Sequence, residues 1–110
     1  MNKKITEHQF PIPPESILEL DEAMPYGTMW RVAAQFSEYS PPTVYSHLKP
    51  NRQRYRIDIV LAFLEAAETH RRVLGIRTKL KVRVFLESLF KNYNVVDKFN
   101  NPLTLKPLEQ

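Results

Sequence analysis

The stretch "IDIVLAFLEAA" at residues 57–67 decides the fold, because it is apolar on most sides when wound as a helix. A helix of that kind is packed by other elements all around, whereas a surface helix carries a single apolar stripe. It belongs to a longer predicted helix, from about Arg52 to Leu74, after which Gly75 suits a left-handed helix end. The sequence therefore predicts a helical domain built around this segment.

Two short helices are predicted upstream of it, at 28–36 and 41–49. The first has one apolar stripe at helical spacing, formed by Met29, Val32, Ala33 and Phe36. The second begins with Ser40 as an N-cap and Pro41 in the first helical position, and it ends before Pro50. Its inward pair is Val44 and Leu48.

A further helix is predicted at 14–24, between Pro14 in its first turn and Pro25 after its end. Residues 1–13 precede it as an extended arm, because prolines interrupt the end of this segment. At the other end of the chain, residues 100–110 are predicted to be an irregular tail.

Residues 80–93 carry two competing patterns. Helical spacing places one set on a single face, namely Val82, Phe85, Leu86, Leu89, Phe90 and Tyr93. Strand alternation would instead align Leu80, Val82, Val84 and Leu86. The helical match is longer and includes the aromatic residues, so we predict a helix.

The fold class predicted from these segments is all-α, a single domain over residues 1–110 with about five helices. The 110 residues suffice for one hydrophobic core. The chain has only two glycines, Gly27 and Gly75, and it shows no alternating hairpin pattern. Both observations argue against a fold based on a sheet.

Composition excludes several classes of function. The chain has no cysteine, which rules out disulfides, thiol catalysis and thiolate-bound zinc. It has no apolar run of the roughly 18 residues that a membrane span needs. We therefore expect a cytoplasmic protein with no membrane partner.

No pattern in the sequence points to catalysis, a metal or a cofactor. His8, His47 and His70 share no metal-ligand spacing. Glu65 and Glu68 are neighbours on the long helix, where a surface ion pair is the simplest interpretation. No glycine-rich phosphate loop is present. We predict a protein that is not an enzyme and has no cofactor.

Positive charge is concentrated in two stretches without acidic residues. The net charge is +4 and the isoelectric point is near 9.5, while residues 1–30 are acidic in balance. The acid-free stretches are 49–56 and 71–83. They are interpreted either as a solvated face or as a surface for an anionic partner.

The two short helices carry a recognisable set of residues, namely Val32, Ala33, Phe36, Ser40, Thr43, Val44, His47 and Leu48. This set resembles the helix-turn-helix domains of bacterial DNA-binding proteins over residues 32–48. The turn is one residue longer than in those domains, and their usual turn glycine is replaced by Ser37 or Glu38. The resemblance implies a helix-turn-helix-like unit at 28–50 whose second helix docks in the major groove.

The resemblance also implies which residues contact DNA. Thr43, Tyr45, Ser46 and Lys49 would face outward on the second helix. Lys49 and the arginines that follow it would neutralise backbone phosphates; these arginines are Arg52, Arg54 and Arg56. In an alternative interpretation the same residues are ordinary surface and packing positions.

The aromatic stripe of the last helix allows two interpretations. Phe85, Leu89, Phe90 and Tyr93 either pack on the 57–67 segment or form the interface of a homodimer. A twofold dimer suits a protein that reads two half-sites.

The predicted function is a non-enzymatic, transcriptional or replication-associated regulator that binds double-stranded DNA as a homodimer. The alternative is an all-α protein–protein interaction module with no nucleic-acid role, such as an assembly factor, an inhibitor or a structural subunit. DNA binding on this scheme requires 43–56 and part of 71–83 to form one basic face, away from Glu15, Glu19 and Glu22.

Overall fold

A computed structural model describes residues 5–108 of the chain. Within them, five α-helices follow one another along the chain in the segments where the apolar periodicity predicts them. They are α1 (Pro14–Ala23), α2 (Met29–Ala34), α3 (Pro41–Tyr45), α4 (Ile57–Val73) and α5 (Lys81–Asn92), and a 3₁₀ turn at Ser46–Leu48 continues α3.

The all-α prediction is wrong, because the described chain also contains two small sheets of two strands each. Strand β1 (Thr6–Glu7) pairs in parallel with β4 (Asn94–Val95). Strand β2 (Gln9–Phe10) pairs antiparallel with β3 (Tyr55–Arg56). The fold is therefore mixed α/β, with helices forming most of it.

The strands arise where the sequence predicted an arm and a helix start. Residues 6–10 contain no proline, so their backbone N–H groups are available for strand pairing. A strand of two residues is too short to show the alternation by which strands are recognised. The long helix consequently begins at Ile57 rather than at Arg52, with Arg56 extended as its N-cap. Residues 1–4 of the predicted arm lie outside the described residues.

Helix α4 forms the centre of the core, as its apolar sequence predicts. Its buried side chains include Ile57, Ile59, Val60, Phe63, Leu64 and Ala67. Helix α1 contacts both α4 and α5, and α2 contacts α3 and α4. Burial on several sides of one helix is what a central position requires.

Residues 81–92 form a helix and not a strand. Val82, Leu86 and Leu89 point into the core, whereas Val84 is 53% exposed. A strand would have placed Val82, Val84 and Leu86 on one face, so the exposure of Val84 agrees with the helical period.

A buried arginine of α5 forms hydrogen bonds to α4 and to the end of the described chain. Arg83 is 3% exposed, and both its Nε and its Nη2 donate to the Glu68 carboxylate of α4. Its Nη2 also donates to the Lys106 carbonyl at 2.9 Å. Residues 100–108 thus run without helix or strand along α4 and α5. Residues 109–110 of the predicted tail lie outside the described residues.

Candidate nucleic-acid interface

Helices α2 and α3 pack against each other through the residues that the sequence singled out. Val32 and Ala33 of α2 are buried, as are Val44 of α3 and Leu48 of the 3₁₀ turn. The Thr43 amide donates to the Ser40 side-chain oxygen at 3.4 Å, so Ser40 caps α3. The α-helical part of the second helix is nevertheless short, and its last turn tightens into 3₁₀ geometry.

Two of the predicted DNA contacts are engaged within this unit. The hydroxyls of Thr43 and Ser40 lie 2.9 Å apart. Ser46 Oγ donates to the Thr43 carbonyl at 2.6 Å and accepts from Arg52 Nη1 at 2.7 Å. Tyr45 is half-buried against the core. These side chains hold the turn together, and hydrogen bonds to base edges would compete with those contacts.

His47 is fully buried beneath this unit. Its Nδ1 donates to the Thr43 carbonyl at 2.9 Å, and its Nε2 has no hydrogen-bond partner among the described residues. Burial, together with the positive charge of Arg52, lowers the pKa of His47 to about 4. The imidazole is therefore neutral at neutral pH.

Three of the predicted phosphate contacts form a group of cations defined by the absence of an acidic partner among the described residues. Lys49 is exposed, and Arg52 and Arg56 are half-exposed. Burial and the nearby charge of Arg56 lower the pKa of Arg52. Within residues 5–108, no carboxylate lies within 4.0 Å of any of the three charged groups. Such a group attracts anions.

Arg54 is set apart from these cations by the N-terminal segment. Its Nη2 lies 3.3 Å from the nearer carboxylate oxygen of Glu7 and donates to the Gln9 carbonyl at 3.0 Å. The pairing of β2 with β3 brings these groups together. The fold thereby neutralises one of the predicted phosphate contacts.

Lys98 is a further cation of this group, and no pattern in the sequence predicts it. The Arg56 guanidinium and the Lys98 ammonium lie 4.8 Å and 4.6 Å from the centre of the Tyr39 ring. Asp97 Oδ1 holds the Lys98 loop by accepting from the Phe99 and Asn101 amides, each at 2.9 Å. Lys98 is 42 positions away from Arg56 along the chain, so no local pattern could have linked them.

Acidic residues border the group on the side of Tyr39. Burial raises the pKa of Asp58, Arg56 opposes that rise, and Asp97 and Glu38 add to it. These carboxylates limit how far the positive surface extends.

The second basic stretch lies at the other end of α4. Seventeen residues of helix separate the ends, a length of about 25 Å. Arg83 is buried on Glu68, and Lys79 lies 3.1 Å from Glu87. The two stretches therefore do not form the single basic face that DNA binding was expected to need.

The predicted dimer stripe covers the protein's own core. Leu89 is buried, and Phe85, Phe90 and Tyr93 are half-buried and pack on the core. Tyr93 meets Phe10 edge to face, with ring centres 5.2 Å apart. Little of the stripe is left for a second copy.

The remaining chemistry-bearing residues do not converge. Arg83 holds Glu68, Glu65 is 4.0 Å from Lys106, and His70 is exposed. The part of the chain from 5 to 108 contains no cluster of three residues able to hold a metal ion. It also contains no helix long and apolar enough to cross a membrane.

Comparison with known proteins gives no relative. No protein-family model, no curated protein and no solved structure matches this chain.

Proposed function

We propose that the protein binds double-stranded DNA through a smaller phosphate face made of Lys49, Arg52, Arg56 and Lys98, without the 71–83 stretch that the helix-turn-helix scheme required. One observation carries the proposal: no acidic side chain contacts any of these cations within the described residues. Cations without an acidic partner displace the counterions of DNA when they bind its phosphates, which favours binding.

Contacts with the DNA backbone dominate in this proposal. Helix α3 is short, and the hydroxyls of Thr43 and Ser46 are used in the turn. Backbone contacts position a protein on DNA but carry no sequence information. We therefore expect weak discrimination between sequences. A regulatory role, in transcription or replication, follows from the resemblance of residues 32–48.

Fluorescence anisotropy of a labelled random duplex tests the proposal. With about four phosphate contacts, affinity falls about 100-fold between roughly 50 and 200 mM salt. Lys49→Ala, at an exposed side chain, lowers the magnitude of the logarithmic salt slope by about one unit. Arg52→Ala acts in the same direction and is checked for folding, because it also removes the bond to Ser46.

Arg77→Ala is the matched control, since Arg77 is an exposed cation beyond the other end of α4. It leaves the salt slope unchanged if the phosphate face is the contact surface. Absence of binding at the lowest salt contradicts the proposal. So does an equal loss of slope in Lys49→Ala and Arg77→Ala, which would indicate diffuse attraction to the net charge.

A protein–protein interaction is the second candidate, favoured by two exposed aromatic residues. Tyr26 is fully exposed and Trp30 is 60% exposed, on the connection into α2 and at its start. Exposed tyrosine and tryptophan are typical of interfaces. Trp30 is the single tryptophan, so a blue shift of its emission with rising protein concentration would report self-association through this surface.

A further inference from the structure

A cavity of about 500 Å³ lies beyond the C-terminal end of α4, at the opposite end from the phosphate face. Helix α4 ends at Val73, Gly75 turns the chain with a φ of +75°, and the connection returns to the start of α5. The end of the described chain, at Pro107 and Leu108, closes another side. The volume falls in the range of small-molecule sites.

Internal hydrogen bonds fix the connection that walls the cavity. Arg71 Nη2 donates to both the carbonyl and the hydroxyl of Thr78, each at 2.9 Å. The Ile76 amide donates to the Arg71 carbonyl at 2.9 Å. Because α4 itself holds the loop, the cavity exists before any ligand arrives, which lowers the cost of binding.

The lining combines an apolar floor with cations at the rim. Leu80 is buried at the floor, and Ile76, Pro107 and Leu108 add apolar surface. The basic side chains of the lining are Arg71, Arg72, Arg77 and Lys79. A ligand that satisfies both parts has an apolar body and an anionic group.

The acids of the lining do not cancel this charge. Glu68 is held by Arg83, and Glu87 is shared between Lys79 at 3.1 Å and Arg83 at 3.5 Å. Arg71 donates to neutral groups of Thr78, and no carboxylate of residues 5–108 lies within 4.0 Å of its guanidinium, so its charge can meet an anion. Arg77 is exposed, and no carboxylate of residues 5–108 lies within 4.0 Å of it.

We propose that this cavity binds a small organic anion, a carboxylate, sulfonate or phosphate on an apolar body. Arg77 and Arg71 contact the anionic group, and Ile76 and Leu80 contact the apolar body. Arginine suits this role because its planar fork of donors matches such oxyanions.

A pair of fluorescent probes tests the two halves of the proposal. Anilinonaphthalene sulfonate carries the anion, and phenylnaphthylamine has the same ring systems without it. Wild-type protein binds the sulfonate saturably, at one site, and more tightly than the neutral probe. Arg77→Glu weakens the sulfonate about tenfold and leaves the neutral probe nearly unchanged. Ile76→Ser weakens both probes, because it removes apolar contact.

Lys49→Glu is the control, with the same change of charge at the other end of α4. It leaves sulfonate binding unchanged if the cavity is the site. Equal weakening by Lys49→Glu and Arg77→Glu, or equal affinity of wild type for the two probes, overturns the proposal. Amide chemical shifts add a check that does not depend on the variants. Perturbation centred on residues 71–80 supports the site, and perturbation elsewhere refutes it.

Discussion

The two ends of α4 are both rich in positive charge along the chain, but the fold treats them differently. At the N-terminal end, Arg52 donates to Ser46 and to the Arg54 carbonyl, which are neutral groups. At the C-terminal end, Glu68 and Glu87 engage Arg83 and Lys79. Two stretches rich in arginine and lysine thus give the proposed phosphate face at one end and a partly neutralised cavity rim at the other.

The comparison teaches that the availability of a charge depends on tertiary contacts. Arg54 lies inside the more open stretch and is still neutralised by Glu7 from the N-terminal strand. Arg71 lies inside the other stretch and has no acidic partner among residues 5–108, where it donates to oxygens of Thr78. A charge that contacts an acid contributes less to the field that a phosphate experiences.

The largest expected effect is at the C-terminal end, where Arg83→Ala removes a buried guanidinium and leaves the partly buried Glu68 carboxylate without its partner. Because one partner of this pair is buried and the other is partly exposed, breaking it from one side lowers the free energy of unfolding by up to about 3–5 kcal/mol. Urea unfolding followed by circular dichroism measures the loss. The double variant Arg83→Met with Glu68→Leu recovers most of it, because no charge then stays buried.

Lys79→Ala is the control for this change, since its pair with Glu87 is exposed. Exposed pairs contribute about 0–1 kcal/mol, so Lys79→Ala leaves unfolding nearly unchanged. If Arg83→Ala and Lys79→Ala lowered the free energy of unfolding equally, burial would not make the Arg83 pair more important than the Lys79 pair.

At the N-terminal end, His47 makes stability depend on pH. Its pKa is about 4 in the folded chain and near 6.5 in the ordinary case, so the unfolded chain takes up the proton first as pH falls. The stabilisation is therefore complete above about pH 6.5 and is lost toward pH 4. The loss amounts to about 3 kcal/mol.

The variant His47→Gln removes this titration, and urea unfolding from pH 7 to pH 4 compares it with wild type. Asp58 titrates nearby with a raised pKa and changes stability in the opposite direction. The quantity to compare is therefore how steeply the free energy of unfolding changes with pH in wild type and in His47→Gln. Parallel curves would show that His47 does not titrate in this window.

The helices could be predicted from the sequence, and the strands could not. Helix α4 repeats its apolar spacing over several turns, and Ser40 and Pro41 mark the start of α3 locally. Strands β2 and β3 offer two residues each, 45 positions apart, so their pairing depends on tertiary packing. The all-α prediction failed because that pairing leaves no local pattern.

The candidate site divides in the same way. Lys49, Arg52 and Arg56 are close in sequence and were predicted together. The neutralisation of Arg54 depends on a residue 47 positions away, and the contribution of Lys98 depends on Tyr39. Local charge patterns predicted the cations, whereas the acids that neutralise them came from distant elements.

A smaller effect is expected from the cap of α3, which positions the turn that holds Arg52. Ser40→Ala removes the acceptor for the Thr43 amide, and an N-cap of this kind contributes about 1 kcal/mol. Urea unfolding measures the change. Ser37→Ala is the control, because Ser37 is exposed and precedes the helix. Equal destabilisation by both variants would mean that the cap bond contributes nothing.

The smallest effect is expected from removing the acid that pairs with Arg54, next to the phosphate face. Glu7→Gln removes the negative charge that faces Arg54, so on the proposed function Arg54 becomes available to a phosphate. The logarithmic salt slope of duplex binding then steepens by up to about one unit, while stability changes little because the pair is exposed. Glu65→Gln makes the same change of charge beside Lys106, on the body of α4, and leaves the slope as it is. If both variants steepen the slope alike, net charge governs DNA binding and the contact with Glu7 does not set Arg54 apart.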